Sequence, residues 1–249
     1  MVMPLWDENP FVKTKKPWIT WGLIALNTII FFMEVAAGDD GSERIFQAFA
    51  LTPVSLTNQT AVISIPTDLT LITYMYLHAD IFHLLGNMIF LFVFGDDIEE
   101  ALGPLRYIIF YHACGIAGAV AFAASGPQSA TPLVGASGAI AGVITAYLML
   151  RPCAKIRVLA FWFVFKLDAF WVIGSWAILQ FLHLASSSND DVAYWCHIGG
   201  LVAGAVLFPV MRLPGVELFE CIKGQGQDGY PPFPDNTDWP GGPREPTIR

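Results

Sequence analysis

Charged residues are scarce in this chain of 249 residues: they make up 14 % of it, against 55 % hydrophobic residues. A soluble globular protein carries about 25 % charged residues to cover its surface, so a soluble domain is excluded. Disorder over most of the chain is excluded as well, because disordered segments need low hydrophobicity. Basic residues are also few, with 13 Lys and Arg against 21 Asp and Glu. The net charge of −8 and the lack of a basic stripe exclude nucleic acid as a partner.

Cysteine is equally sparse, and the four cysteines stand far apart without a C-x-x-C pair: Cys114, Cys153, Cys196 and Cys221. This spacing predicts neither a disulfide framework nor a zinc site. What the chain has instead is long apolar runs, which are typical of a polytopic membrane protein with an all-α fold.

Six apolar segments approach the ~20 residues that a membrane-spanning helix needs. They are residues 18–37, 81–95, 107–124, 134–150, 169–185 and 195–211. A further apolar octet, residues 158–165, is too short to span. We interpret it as a segment packed on the cytoplasmic edge, with a seventh span as the alternative.

The distribution of Lys and Arg predicts the orientation of these spans. With the N-terminus in the cytoplasm, every Lys and Arg except Arg44 falls on the cytoplasmic side, as the positive-inside rule requires. We therefore expect a cytoplasmic N-terminal segment (1–17), a six-helix membrane domain (18–211) and a flexible Pro/Gly-rich cytoplasmic tail (212–249). No mitochondrial transit segment is evident, which favours a bacterial plasma membrane. The sequence does not indicate the oligomeric state.

Strongly polar residues inside spans are expensive and by default mark function. His83 and Asn87 share one face of the second span, four positions apart. Ser137 begins the fourth span and His197 begins the sixth. Because these three spans all run from outside to inside, the four side chains are expected at one depth, near the outer leaflet.

Two G-x-x-x-G pairs, Gly138/Gly142 and Gly200/Gly204, predict close packing of the fourth and sixth helices. That packing would bring the Ser137 hydroxyl to the His197 ring, where histidine could act as the base for a serine nucleophile.

An oxyanion would need fixed donors, and the candidates are the Asn87 amide, the Ser137 backbone N–H and His83. No carboxylate obviously orients His197, since neither Asp80 nor the loop residues Asp190 and Asp191 is compelling, which favours a dyad over a triad. These residues alone leave a transporter-like polar site open as the alternative.

Four motifs in the chain resemble those of the rhomboid family of intramembrane serine proteases. Residues 135–138 resemble its G-x-S-G nucleophile motif, and residues 83–87 its H-x-x-x-N element. Residues 197–204 resemble its H-x-x-G-x-x-x-G element, and residues 99–107 its acidic/Gly signature after the second helix. The resemblance covers the six-helix core.

The resemblance implies a serine endopeptidase that cuts single-span membrane proteins in or near their transmembrane helices. It implies Ser137 as nucleophile, His197 as general base, and Asn87, His83 and the Ser137 N–H as oxyanion donors, without metal or cofactor. It further implies structural roles for Glu99, Gly103 and Arg106.

One departure from the family pattern is Ala141, where some members carry an aromatic residue beside the catalytic histidine. The stacking ring is therefore lost or supplied by another residue. The rival reading is a non-catalytic rhomboid-like protein that binds membrane helices, as a chaperone or pseudoprotease; the intact serine and histidine argue against it.

Overall fold

The computed structural model describes residues 2–8, 16–58, 66–160, 162–185 and 193–221, and the chain is mostly helical. Short 3₁₀ turns flank the fourth helix on both sides. In chain order the helices are α1 (Trp18–Ala36), α2 (Gly38–Phe49), α3 (Pro53–Asn58), α4 (Thr70–Thr73), α5 (Ile81–Leu102), α6 (Pro104–Ser125), α7 (Ser137–Leu150), α8 (Ala169–Ala185) and α9 (Tyr194–Met211).

Each predicted span contains a helix. Within the described ranges, four helices are long and apolar enough to cross a membrane: α1, α5, α6 and α9. α7 and α8 are shorter apolar helices, so the six-span count and the cytoplasmic position of both termini stay predictions.

The short helix α7 lies at the centre of the bundle, packed against α5, α6 and α9. Its close contacts with α9 depend on glycine. A Cβ on Gly200 would overlap the carbonyl oxygen of Gly138, and a Cβ on Gly204 would lie 2.5 Å from the carbonyl oxygen of Gly142. Two backbones meet at each of these points, as small residues allow in membrane helices.

The opposite end of the bundle from Ser137 is fixed by helix caps. The carboxylate of Glu99 accepts hydrogen bonds from the backbone N–H of Ile19 (3.0 Å) and Thr20 (2.8 Å), the first turn of α1. Gly103, with φ of 77°, turns the chain between α5 and α6 in a conformation that favours glycine. Arg106 donates to the Met211 carbonyl at the end of α9. These contacts agree with the structural roles that the resemblance implied.

The prediction of an all-α fold is wrong in one respect, because the described residues include a three-stranded antiparallel sheet of order β1-β2-β3. β2 (Lys155–Ala160) and β3 (Phe163–Asp168) form a hairpin, and β1 (Val2–Glu8) pairs with β2. Residues 158–160 and 163–165 of the octet lie in these two strands, so the octet is not a seventh span, and its position at the cytoplasmic edge stays a prediction. Its β-branched and aromatic side chains suit a strand, and β1 supplies the distant partner.

Residues 212–221 pack against the bundle, whereas the sequence predicts a flexible tail from residue 212. Val216 is 3 % exposed, and Glu220 pairs with Arg151 at 2.5 Å. The cysteine spacing predicts no disulfide framework, whereas in the structure Cys153 and Cys221 form one disulfide. The two cysteines are 68 residues apart, so their pairing could not be predicted from their spacing. Residues 222–249 of the predicted tail lie outside the described residues.

Helices α2 and α3 lie in the long connection between the first two predicted spans, whose residues 59–65 lie outside the described part. Leu51, between these two helices, forms an isolated β-bridge with Leu133, with N···O distances of 3.1 and 2.8 Å. This bridge ties the connection to the segment that leads into α7.

Candidate active site

Ser137 is the first residue of α7. The chain reaches it through Gly135, whose φ of 111° is in the region that favours glycine. The backbone N–H of Gly135 donates to the Tyr74 carbonyl at 2.9 Å, which fixes the turn before the serine. The first N–H groups of a helix have no partner within the helix, so the Ser137 N–H is placed to donate elsewhere.

His197 lies in the first turn of α9 and is 9 % exposed. Its Nε2 is 2.9 Å from Ser137 Oγ, a hydrogen-bond distance across the α7–α9 contact. The glycines that let the two helices approach stand directly after Ser137 and shortly after His197. The close packing thus brings a hydroxyl and an imidazole together.

Gln180 contacts His197 in the structure and was not among the residues predicted from the sequence. It lies on α8, is 7 % exposed, and its Oε1 is 2.8 Å from His197 Nδ1. The signal was present in the sequence, because a glutamine inside an apolar span is itself expensive.

Asp80, one of the candidate carboxylates, has a different role. The Asp80 carboxylate accepts from the backbone N–H groups of Phe82 (2.7 Å) and His83 (2.9 Å) and so caps α5. Asp190 and Asp191 lie outside the described residues.

The aromatic ring that Ala141 cannot supply comes from α8. The ring of Trp176 lies 5.7 Å from that of His197, centroid to centroid, at 38°. Tyr194 adds an edge-on contact with a centroid distance of 6.5 Å. One face of the histidine is therefore covered by a side chain four positions before Gln180 on the same helix.

His83 and Asn87 lie on α5 beside the turn that precedes Ser137. A Cβ on Gly135 would lie 2.6 Å from His83 Nε2 and 3.6 Å from Asn87 Nδ2. Within the part of the chain that the structure describes, the buried Asn87 Nδ2 has no hydrogen-bond partner. A buried donor without a partner costs free energy, which a ligand oxygen at this point would recover.

His78, in the turn before α5, is a second buried histidine beside this group. It is 1 % exposed, and its ring centroid is 5.2 Å from that of His83. Burial, with a smaller contribution from His83, lowers the pKa of His78 to about 3. His78 is therefore a neutral neighbour of His83 at physiological pH.

Comparison with known proteins gives a consistent result. The family model of the Rhomboid domain matches residues 67–213, more than half of the chain. RHOMBOID-like protein 6, mitochondrial, from Arabidopsis thaliana is 30 % identical over 159 residues, which is 64 % of this chain and 48 % of the relative. Rhomboid protease GluP from Bacillus subtilis is 33 % identical over 218 residues, or 85 % of this chain and 38 % of the relative.

A third relative, putative rhomboid protease YdcA from Bacillus subtilis, is 32 % identical over 143 residues, covering 55 % of this chain and 64 % of the relative. The chain spans about half the length, or less, of the first two relatives. With its apolar helices and the match over residues 67–213, this chain is an integral membrane protein that belongs to the rhomboid family.

Proposed function

We propose that this chain is an intramembrane serine endopeptidase in which Ser137 and His197 form the catalytic dyad. The observation that carries the proposal is the 2.9 Å contact between Ser137 Oγ and His197 Nε2, with both groups at helix N-termini. The protease names of two relatives, GluP and YdcA, support it.

The proposed reaction uses groups that already lie together. Ser137 Oγ attacks the carbonyl carbon of the substrate peptide bond while its proton passes to His197 Nε2. The C–N bond then breaks, and the leaving amine takes that proton. Water attacks the acyl-enzyme with His197 again accepting a proton, which releases the carboxylic acid and restores Ser137.

The proposed oxyanion donors are the Asn87 amide, His83 and the Ser137 backbone N–H. The buried Asn87 Nδ2, which has no hydrogen-bond partner among the described residues, supports this role because it lies beside the turn that leads to Ser137. Donors held in place before reaction stabilise developing charge most effectively where water is excluded. No metal or cofactor has a part in this scheme.

The proposed substrates are single-span membrane proteins, cut near the outer leaflet in the lipid bilayer. A helical substrate buries its carbonyls in internal hydrogen bonds, so helix-breaking residues at the cleavage site should favour cutting. We propose six spanning helices, cytoplasmic termini and the plasma membrane of a bacterium as the setting.

The test is cleavage of a model single-span substrate by purified protein in detergent, beside Ser137→Ala and His197→Ala. Removal of either member of a serine–histidine pair should lower cleavage by at least about 1,000-fold. A labelled fluorophosphonate should react with the wild type and not with Ser137→Ala.

Two results would contradict the proposal. If Ser137→Ala still cuts, the assignment of the nucleophile is wrong. If the wild type captures the substrate helix but neither cuts it nor reacts with the fluorophosphonate, the chain is a non-catalytic helix-binding protein. A matched control is Ser175→Ala on α8, whose hydroxyl donates to the Val172 carbonyl of the same helix at 3.1 Å.

A further inference from the structure

Gln180 makes two hydrogen bonds that together fix its orientation. Its Nε2 donates to the Trp176 carbonyl one helical turn earlier, at 3.3 Å. Its Oε1 lies 2.8 Å from His197 Nδ1. The reversed amide would set its oxygen against the Trp176 carbonyl oxygen, so the acceptor end of Gln180 is the end that faces the histidine.

The orientation of Gln180 decides which nitrogen of His197 carries the proton. A carbonyl oxygen can only accept, so Nδ1 must be the protonated nitrogen of the neutral ring. Nε2 then has a free lone pair, directed at Ser137 Oγ 2.9 Å away. The other tautomer would place two acceptors 2.8 Å apart in a buried site.

We propose that Gln180 is a positioning residue that holds His197 in the tautomer able to accept the Ser137 proton. This inference rests on the proposed function and deepens it: the dyad is completed by a neutral amide from α8 instead of a carboxylate. As the ring becomes positively charged, its Nδ1–H donates more strongly to the same oxygen.

The surroundings of the pair support this role. Gln180 and His197 are 7 % and 9 % exposed, so solvent cannot readily replace the amide as the partner of Nδ1. The Trp176 ring beside His197 and the Trp176 carbonyl that Gln180 binds come from the same residue. The other titratable groups near the ring include His83 on α5 and Tyr194 on α9.

The experiment compares Gln180→Leu, Gln180→Glu and the wild type in the cleavage assay. Leucine removes the acceptor, and we expect kcat to fall by about 10- to 100-fold with KM within about twofold. Glutamate loses the hydrogen bond to the Trp176 carbonyl but keeps an oxygen that can accept from His197 Nδ1, so it should restore kcat to within about threefold. Where that glutamate is ionised, the acidic limb of the pH profile moves to higher pH, because a carboxylate favours the charged ring.

The matched control is Leu179→Ala, the neighbouring residue on the exposed face of α8, which should leave kcat unchanged. A spectroscopic measurement on intact protein complements the kinetics. Nitrogen-15 NMR of histidine-labelled protein, with His197→Ala to assign the signals, should find Nδ1 protonated in the wild type. That preference should be lost in Gln180→Leu.

Two outcomes would overturn the inference while leaving the proposed function intact: Gln180→Leu cutting within twofold of the wild type, or a wild-type His197 protonated at Nε2. Equal losses in the leucine and glutamate variants, with a raised KM, would also overturn it, because that pattern marks a purely structural role. A wild type that neither cuts nor reacts with the fluorophosphonate would overturn the proposed function itself, and with it any catalytic role for Gln180.

Discussion

Glycine suits position 135 of the candidate site for two reasons. Its backbone conformation favours glycine, and the space beside it is taken by the His83 ring. The two constraints are independent, since one concerns the φ angle and the other the volume next to the Cα. The glycine two positions before Ser137 in the motif is thus explained by the geometry of the site as well as by the resemblance.

We expect Gly135→Ala to lower cleavage by about 10- to 100-fold, because the strained backbone and the displaced His83 both distort the entry to Ser137. The measurement is the rate of cleavage together with fluorophosphonate labelling. Gly86→Ala is the control, since a Cβ there meets nothing within 4 Å and α5 should tolerate it. Unchanged labelling in Gly135→Ala would contradict the prediction.

His78 makes the folded protein sensitive to acid. Its pKa is about 3 when folded, against about 6.5 when unfolded, so between these values the unfolded chain binds more protons. Stability should therefore fall as the pH is lowered from about 6.5 towards 3. The measurement is thermal unfolding in detergent at pH 7 and at pH 4.5. Between these two pH values, the Tm of the wild type should fall further than the Tm of His78→Gln.

The control for this measurement is His183→Gln, which removes an exposed histidine from the end of α8. If it changes the pH dependence as much as His78→Gln does, burial of His78 is not the cause.

At the scale of elements, the contact between α7 and α9 positions Ser137 beside His197. We expect Gly200→Ala to destabilise the protein by about 1–3 kcal/mol, because its Cβ meets the Gly138 carbonyl and two backbones must separate. Cleavage should fall as well, since the same separation lengthens the path from Ser137 to His197. Thermal unfolding and cleavage are measured together.

Gly174→Ala on α8 serves as the comparison, because a Cβ there meets nothing within 4 Å. Equal stability of the Gly200 and Gly174 variants would show that the α7–α9 contact adapts to a larger side chain.

The helices could be predicted from the sequence better than the strands. Helix positions followed from apolar runs, whereas the common depth of the four polar residues depends on the predicted topology and stays a prediction. The hairpin β2–β3 and its partner β1 could not be predicted, because a strand about 150 positions away along the chain completes the sheet. Gln180 was not predicted because a carboxylate is the expected partner of a catalytic histidine, although the oxygen of an amide can accept the same hydrogen bond.

At the scale of the whole molecule, the segment after α9 closes the end of the bundle away from Ser137. The Leu213 N–H donates to the Ala101 carbonyl at 2.9 Å, and Glu220 reaches Arg151. A chain that stops after residue 212 loses the buried Val216, the disulfide and the carboxylate partner of Arg151. The folded domain therefore extends to Cys221.

We expect truncation after Arg212 to lower thermal stability strongly, because loss of a disulfide alone removes about 2–4 kcal/mol. Truncation after Cys221 should leave stability and cleavage unchanged, which tests the prediction that the later residues are a flexible extension. The measurement is thermal unfolding of both truncated chains beside the full chain. A loss of stability in the longer chain would contradict this.

The redox state of Cys153 and Cys221, which form a disulfide in the structure, depends on the side of the membrane that they face. The charge bias predicts that this end lies in the cytoplasm, where thiols are kept reduced, whereas a lasting disulfide belongs to an oxidising compartment. Labelling with a maleimide in living cells therefore distinguishes the two sides of the membrane. If Cys153 and Cys221 react before reductant is added, this end is cytosolic. If they react only after reductant is added, this end is exterior. Cys114 and Cys196 are buried, so they supply the unreactive background against which that labelling is read.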